Sequence, residues 1–396
     1  MNKYRHYKLA ARFVSINLLL ISALCYIGFA RAIPEKRTES LYGGIEVGAK
    51  GVKAAVISVR ETDEGNSVKL VYAEAINSTI MQLKGNRFAP ETINDTALAV
   101  QKLMARMKIE YKVPEEQISV IGSSGVRAEN QQDLINAIRE KTGKTMPFLD
   151  VETEVQLSIV GTIPQRYRTR NGWAENRGTS VLIDIGSGNT KGGYQVIRQT
   201  TTGTPDYDYV TISIPKGTVT FTNEINDAVG DQGDQIDFVR KARELSPSSI
   251  RSELRKEMER KPGLINRQRV YLTGGIVWAM VTLMRPDDRR TLTPITADEI
   301  EMFYRAVTKD PDSLQKLLYP DLTRRISNRQ LRAEVEMDIE TIRNTYSPRN
   351  LIAGAEILRT VSKEFGLQNK NIRFARYSHL SWIVSYVRLQ SSVPNP

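Results

Sequence analysis

Val181–Tyr194 reads VLIDIGSGNTKGGY, and the fold hinges on this stretch. The apolar run Val181, Leu182 and Ile183 predicts a buried strand, and Asp184 then opens a turn in which Gly186, Ser187, Gly188 and Asn189 can gather backbone N–H groups around one anion. Thr190 and Lys191 lead into a second strand-like run, Gly192–Ile197, so the turn closes a hairpin and is not the strand-to-helix loop of a Rossmann or Walker site. A single glycine-rich hairpin is ordinary. Tyr42–Ile57, YGGIEVGAKGVKAAVI, repeats the pattern about 140 residues earlier, with a turn through Gly48, Ala49, Lys50 and Gly51 and with Glu46 in the place of Asp184. The repeat predicts two related α/β domains facing one cleft.

The rest of the chain fits that organisation. A strand over Lys69–Ala75 precedes a helix with apolar residues at Ile93, Ala97, Val100, Leu103, Met104 and Met107, the two methionines being core packing. A strand at Ile118–Gly122 ends in Ser123-Ser124-Gly125-Val126-Arg127. Asn130 is the expected cap of a helix Gln131–Thr142 that Gly143 stops. A short strand is expected at Phe148–Val151, a helix at Thr153–Ile163, and a crossing loop at Pro164–Gly178. After the central hairpin come a strand at Tyr207–Pro215, polar helices to about residue 260, a strand at Val270–Leu272 and the turn Thr273-Gly274-Gly275 into a helix Ile276–Met284. Residues 285–346 read as charged helices with a cap at Thr296. A helix from Ser347-Pro348, a strand at Ile372–Ala375 and a helix at Leu380–Leu389 follow. The expected domains are 41–165 and 178–396, with the final helices free to pack back on the first.

Composition restricts the chemistry. The 396 residues are 40% hydrophobic and 26% charged, enough for two folded cores. Residues 1–12 hold Lys3, Arg5, Lys8 and Arg12 with no acid, Phe13–Ala30 is apolar apart from small polar residues such as Ser15 and Asn17, and Ala30-Arg31-Ala32 is a small-x-small site. Residues 1–32 thus read as a secretory signal cleaved after Ala32, with an uncleaved anchor over residues 13–30 as the competing reading. The expected location is periplasmic or extracellular, or membrane-anchored through that segment alone. Removing residues 1–32 would take five of the +11 charges, leaving +6, a modest excess that suits an anionic ligand. No basic run with interleaved aromatics points to nucleic acid. Cys25 is the sole cysteine, and His6 and His379 the sole histidines, which excludes disulfides, thiolate sites, a histidine zinc centre and a Ser-His-Asp triad. His379, at an apolar helix start, reads as structural.

With these residues in view, the chain resembles the actin-like ATPase superfold, and within it the exopolyphosphatase/guanosine pentaphosphate phosphatase (Ppx/GppA) family. The likeness rests on IEVGAKGVKAAVI at 45–57, GSSGVRAENQQDLINAIREKTG at 122–143, ETEVQLSIVG at 152–161, VLIDIGSGNTKGG at 181–193 and VYLTGGIVWAM at 270–280. SIPKGTVTFTNEI at 213–225 and SPRNLIAGAEIL at 347–358 add to it, so that it spans roughly residues 43–390. The resemblance implies an α/β fold of two actin-like (ribonuclease H-like) domains around an interdomain cleft. It implies a phosphohydrolase releasing orthophosphate from polyphosphate or a nucleotide polyphosphate with Mg²⁺, and it is compatible with a homodimer.

Hydrolysing a phosphoanhydride requires a held phosphoryl group, neutralised charge and a water placed in line by a base. Gly48, Ala49, Lys50, Gly186, Ser187, Gly188, Asn189, Thr190 and Lys191 are the expected phosphate ligands, and the resemblance makes Gly274 and Gly275 a wall of the cleft. Glu46 and Asp184 at the hairpin mouths are the expected Mg²⁺ ligands, and Arg127 is the expected phosphate fork. The family's water-activating glutamate is the second of its Glu-Glu-Ala-Arg-Leu block, seven residues before a glycine. Glu154 stands seven before Gly161, so the resemblance makes it the general base, with Glu152 second; acids at a helix start are also favoured by the helix dipole alone. Two residues depart from the family. Glu46 replaces an aspartate, and Lys191 stands where an acid is usual, shifting local charge by two units toward polyanion binding and away from metal. That departure keeps a second class open, a non-catalytic polyphosphate or nucleotide sensor, beside an apyrase-like phosphohydrolase and, on weaker grounds, a filament protein.

Overall fold

The computed structural model describes residues 39–62, 65–78, 80, 83, 86–169, 172–199, 205–230 and 233–390. The signal or anchor reading of residues 1–32 lies outside them, as do Cys25, His6 and the side chain of His379. Among the described residues no helix is long and apolar enough to cross a membrane. By its contacts the chain divides into two units, and Leu41–Ile57 with Leu70–Val393 form the one that carries the site. In the other, Ser58 donates a hydrogen bond to the Glu39 carboxylate.

Four strands, β1 (Glu39–Gly48), β2 (Gly51–Thr62), β3 (Gly65–Asn77) and β4 (Ile118–Gly122), form a first sheet in the order β3-β2-β1-β4. β4 runs parallel to β1, with Glu46 opposite Ile121 and Val47 opposite Gly122. Helix Pro90–Ile109 covers this sheet with Val100, Leu103 and Met107, all fully buried against Ile45, Val47 and Val52. Helix Gln131–Thr142 stops at Gly143, whose φ of 71° is the left-handed conformation that favours glycine. Asn130 holds the N-cap position without capping. Its side chain exchanges hydrogen bonds with the Phe88 backbone instead, donating to the carbonyl at 3.1 Å and accepting from the N–H at 2.8 Å.

A short hairpin, β5 (Arg166–Thr169) and β6 (Gly172–Glu175), occupies the segment expected as a plain loop. The strand expected at Phe148–Val151 is absent. Phe148 makes a single bridge to Gly122, and the next helix begins at Val151 because Asp150 caps it, accepting from the Thr153 N–H at 2.7 Å.

The second sheet is built from β7 (Ser180–Ile185), β8 (Thr190–Gln199), β9 (Pro205–Ile214), β10 (Arg269–Thr273), β11 (Leu292–Ile295) and β12 (Asn371–Ala375), in the order β11-β12-β10-β7-β8-β9. β7, β10 and β12 are parallel, and their carboxyl ends lie side by side: Thr273 is opposite Asp184, and Leu272 opposite Phe374. β7 is covered on both faces, which explains its unbroken apolar run. Val181 and Ile183 enter the large core, while Leu182 packs with Val155, Ile159 and Tyr271 beneath helix Val151–Thr162. β11 falls inside the stretch expected to be entirely helical, as a short antiparallel edge strand before the Thr296 capping box. The final helix, Ser378–Gln390, returns to the first sheet and to helix Val151–Thr162. A Cβ on Gly44 would lie 2.1 Å from Ile383, and one on Gly161 would lie 2.3 Å from the Ser381 carbonyl.

Candidate functional site

The two glycine turns open on one cavity of about 610 Å³, lined also by Ser123, Gly125, Glu154, Thr273, Gly274 and Gly275. Every candidate residue except Arg127, Thr190 and Glu152 contributes to that lining. Arg127 is exposed, and its Nε donates to the Ser124 carbonyl at 3.1 Å. Thr190 is buried beneath the turn and donates to the Lys216 carbonyl at 2.7 Å. Glu152, the second choice as base, is exposed.

The turn Gly186–Asn189 is shaped by the start of helix Thr218–Val229. Thr218 and Val219 donate their N–H groups to the carbonyls of Gly186 and Ser187 at 3.0 and 2.9 Å, and Thr220 Oγ1 donates to that of Gly188 at 3.1 Å. With these carbonyls engaged, and the Gly186 N–H given to the Asn189 carbonyl at 3.0 Å, the turn is left to meet a ligand through the N–H groups of Ser187, Gly188 and Asn189, as an anion site requires. Gly217 permits the approach, since a Cβ there would sit 2.5 Å from Ser187 backbone atoms. Gly274 has a φ of 99°, a left-handed conformation, and a Cβ on it would strike the Ile185 carbonyl at 2.2 Å.

Glu154 is 1% exposed, and its carboxylate is held from three sides. Ser124 N–H donates at 2.8 Å, Ser123 Oγ lies 3.2 and 3.3 Å from the two oxygens, and Lys191 Nζ is 2.5 Å from Oε1. Burial alone would raise its pKa, but the Lys191 charge and these hydrogen bonds outweigh burial and hold it below the usual carboxylate range. Lys191 is itself buried. Burial works against its charge, yet Glu154, Asp184 and Glu46 together keep its pKa above the ordinary lysine value. Asp184 lies 3.8 Å from Lys191 Nζ and accepts from Thr273 Oγ1 at 3.0 Å.

Glu46 is 3% exposed, and Lys53 Nζ lies 3.2 and 3.1 Å from its two oxygens. Burial raises the Glu46 pKa despite that partner, and the neighbouring Glu154 charge adds to the rise. Lys50 donates to the Thr345 carbonyl at 3.1 Å and to Asn350 Oδ1 at 3.3 Å, and sits 3.9 Å over the Tyr346 ring. Burial brings its pKa down to about 8.

These contacts do not fit a resident divalent cation. Glu154 and Asp184 already share the Lys191 ammonium, Glu46 is paired with Lys53, and among the described residues no three His, Cys, Asp or Glu side chains are grouped so as to hold one metal ion. The sequence reading overlooked Lys53. The signal was available, because Ile-Glu-Val-Gly-x₄-Lys at 45–53 matches Ile-Asp-Ile-Gly-x₄-Lys at 183–191.

No protein-family model and no curated protein matches the sequence. Solved structures do match in fold. An exopolyphosphatase from Cytophaga hutchinsonii is 13% identical with a TM-score of 0.59, over 89% of this chain and 98% of its own. An exopolyphosphatase-like protein is 14% identical with a TM-score of 0.58, over 88% and 99%. A Ppx/GppA family member from Aquifex aeolicus is 12% identical with a TM-score of 0.55, over 90% and 99%. The chain therefore has the two-domain α/β fold of the Ppx/GppA structures, along nearly their whole length.

Proposed function

We propose that this chain is a Ppx/GppA-type phosphohydrolase that releases orthophosphate from the end of an inorganic polyphosphate or a nucleotide polyphosphate. The observation carrying this reading is that both glycine turns and the buried Glu154 line one cavity, in a chain with the fold of the exopolyphosphatase structures. In this reading the turns hold the terminal phosphoryl group and Lys191 neutralises its charge. The ionised Glu154, oriented by Ser123 and Ser124, takes a proton from the attacking water as the bridging P–O bond breaks. Lys50, on the first turn, supplies a second cation to the same cavity. Export belongs to the same proposal and rests on residues 1–32; N-terminal sequencing of the protein recovered outside the cytoplasm tests it.

The enzymatic reading is tested by incubating the full chain with polyphosphate, guanosine pentaphosphate and ATP, in Mg²⁺ and in EDTA, and measuring orthophosphate. Release is expected from at least one substrate, and Glu154→Gln should abolish it while leaving binding intact. A second reading, a polyphosphate or nucleotide sensor, is favoured by one observation: the Glu154 carboxylate is already engaged by Ser123, Ser124 and Lys191. Tight binding without turnover in the unmutated protein would select it.

A further inference from the structure

Arg376 stands one residue beyond β12 and lines the same cavity as the glycine turns. It is 3% exposed. Nη2 donates to the Asp288 carbonyl, but Nε and Nη1 have no hydrogen-bond partner. The two carboxylates that act on it electrostatically are already claimed: Asp288 by Arg285 and Arg290, and Asp338 by Arg289. A buried guanidinium left in this state is costly, and retaining one is reasonable where an anion completes it. Burial and the Arg289 charge also push its pKa down, as expected of a cation without a counter-ion.

Its position relative to the glycine turns follows from the register. Asp184, at the mouth of the central turn, is opposite Thr273 on β10, and β12 is the next strand over. Two strand spacings separate Asp184 from the end of β12, on the order of 10 Å. An anion longer than one phosphate can reach both places within one cavity. We propose that Arg376 forms a second anion subsite, which takes a phosphate further along the substrate whose terminal phosphate sits at Gly186–Asn189. The proposal rests on the phosphate-binding reading above and assigns the cavity to a chain of phosphates rather than to a single one.

The test is calorimetric titration of the full chain with orthophosphate, long-chain polyphosphate and guanosine pentaphosphate, alongside thermal unfolding. Arg376→Met should weaken the chain ligand about tenfold, the size expected for one charge-assisted hydrogen-bonding group, and leave orthophosphate unchanged. Its unfolding midpoint should stay level or rise, since an uncompensated buried charge is removed. Arg376→Gln, which keeps a donor for the Asp288 carbonyl, guards against misfolding and should show the same selective loss. Weakening confined to polyphosphate or to the nucleotide identifies whose phosphate occupies the subsite. Unchanged chain affinity, or an equal loss for orthophosphate and chain with a lowered midpoint, would overturn the subsite alone. No binding of any phosphate by the unmutated protein would overturn the reading on which it rests.

Discussion

The two glycine hairpins share one local pattern and use it differently. In each, an acid at the end of the first strand is followed seven residues later by a lysine on the second: Glu46 and Lys53, Asp184 and Lys191. Lys53 stays with the acid of its own hairpin at 3.1 Å, and its side chain is 33% exposed. Lys191 lies 3.8 Å from the acid of its own hairpin and turns to Glu154 at 2.5 Å, with only 4% exposure. The difference comes from what is packed above each hairpin. Helix Val151–Thr162 brings a second carboxylate over the central turn, and a buried ammonium goes to the carboxylate that is most deprived of water. One repeated sequence thus yields a pair whose lysine is one-third exposed and a pair buried at both ends.

The largest consequence of that contrast is energetic. Lys191→Met leaves Glu154 buried without a counter-ion and should lower unfolding free energy by about 3–5 kcal/mol in urea titration. The double variant Lys191→Met/Glu154→Gln, which removes both charges, should recover most of the loss. Lys53→Met should cost less, about 1–3 kcal/mol, because Glu46, whose pKa burial already raises, can take up a proton once its partner is gone. Equal losses at the two lysines would erase the distinction between the hairpins.

The turns should differ next. A Cβ on Gly188 would meet the Gly125 backbone carbonyl at 2.6 Å, whereas one on Gly48 would meet a Glu46 side-chain oxygen at 2.9 Å. Backbone cannot yield easily, so Gly188→Ala should cost about 1–3 kcal/mol and weaken phosphate binding, while Gly48→Ala should cost less. Thermal unfolding with and without phosphate checks both.

The smallest effect concerns pH. Lys50 on the first turn has a pKa brought down to about 8 by burial, so phosphate affinity should fall as pH rises through 8. Folding stability should move the other way. Between about 8 and the ordinary 10.5, the unfolded chain keeps a proton that folded Lys50 has lost, and stability rises with pH across that window. Lys50→Gln should flatten both profiles. Lys191 on the other turn, with its pKa raised, should add no such change in this range.

Much of this architecture was legible in residue order, and the misses share a cause. β7 could be read because Val181–Ile183 is apolar on both sides, as a strand covered on both faces must be. Gly143 and Thr296 were legible because left-handed stops and capping boxes are local. Phe148–Val151 misled because Asp150 captures the Thr153 N–H and starts the helix early. β11 was hidden because a four-residue edge strand carries too few alternations to stand out among charged helices. Asn130 was read as a cap, but Phe88, 42 positions away, claims its side chain.

By itself the sequence determined the two acid–glycine–lysine hairpins, the strand at Ile118–Gly122 between them and the poverty of cysteine and histidine. These depend on neighbours within a few residues and on composition. Tertiary structure alone decided that Lys191 serves Glu154 more closely than Asp184, that Arg127 faces solvent, and that Arg376 is buried with nitrogens to spare. A charged side chain settles its partner through burial and through groups brought from distant elements, and neither is written in the local order of residues.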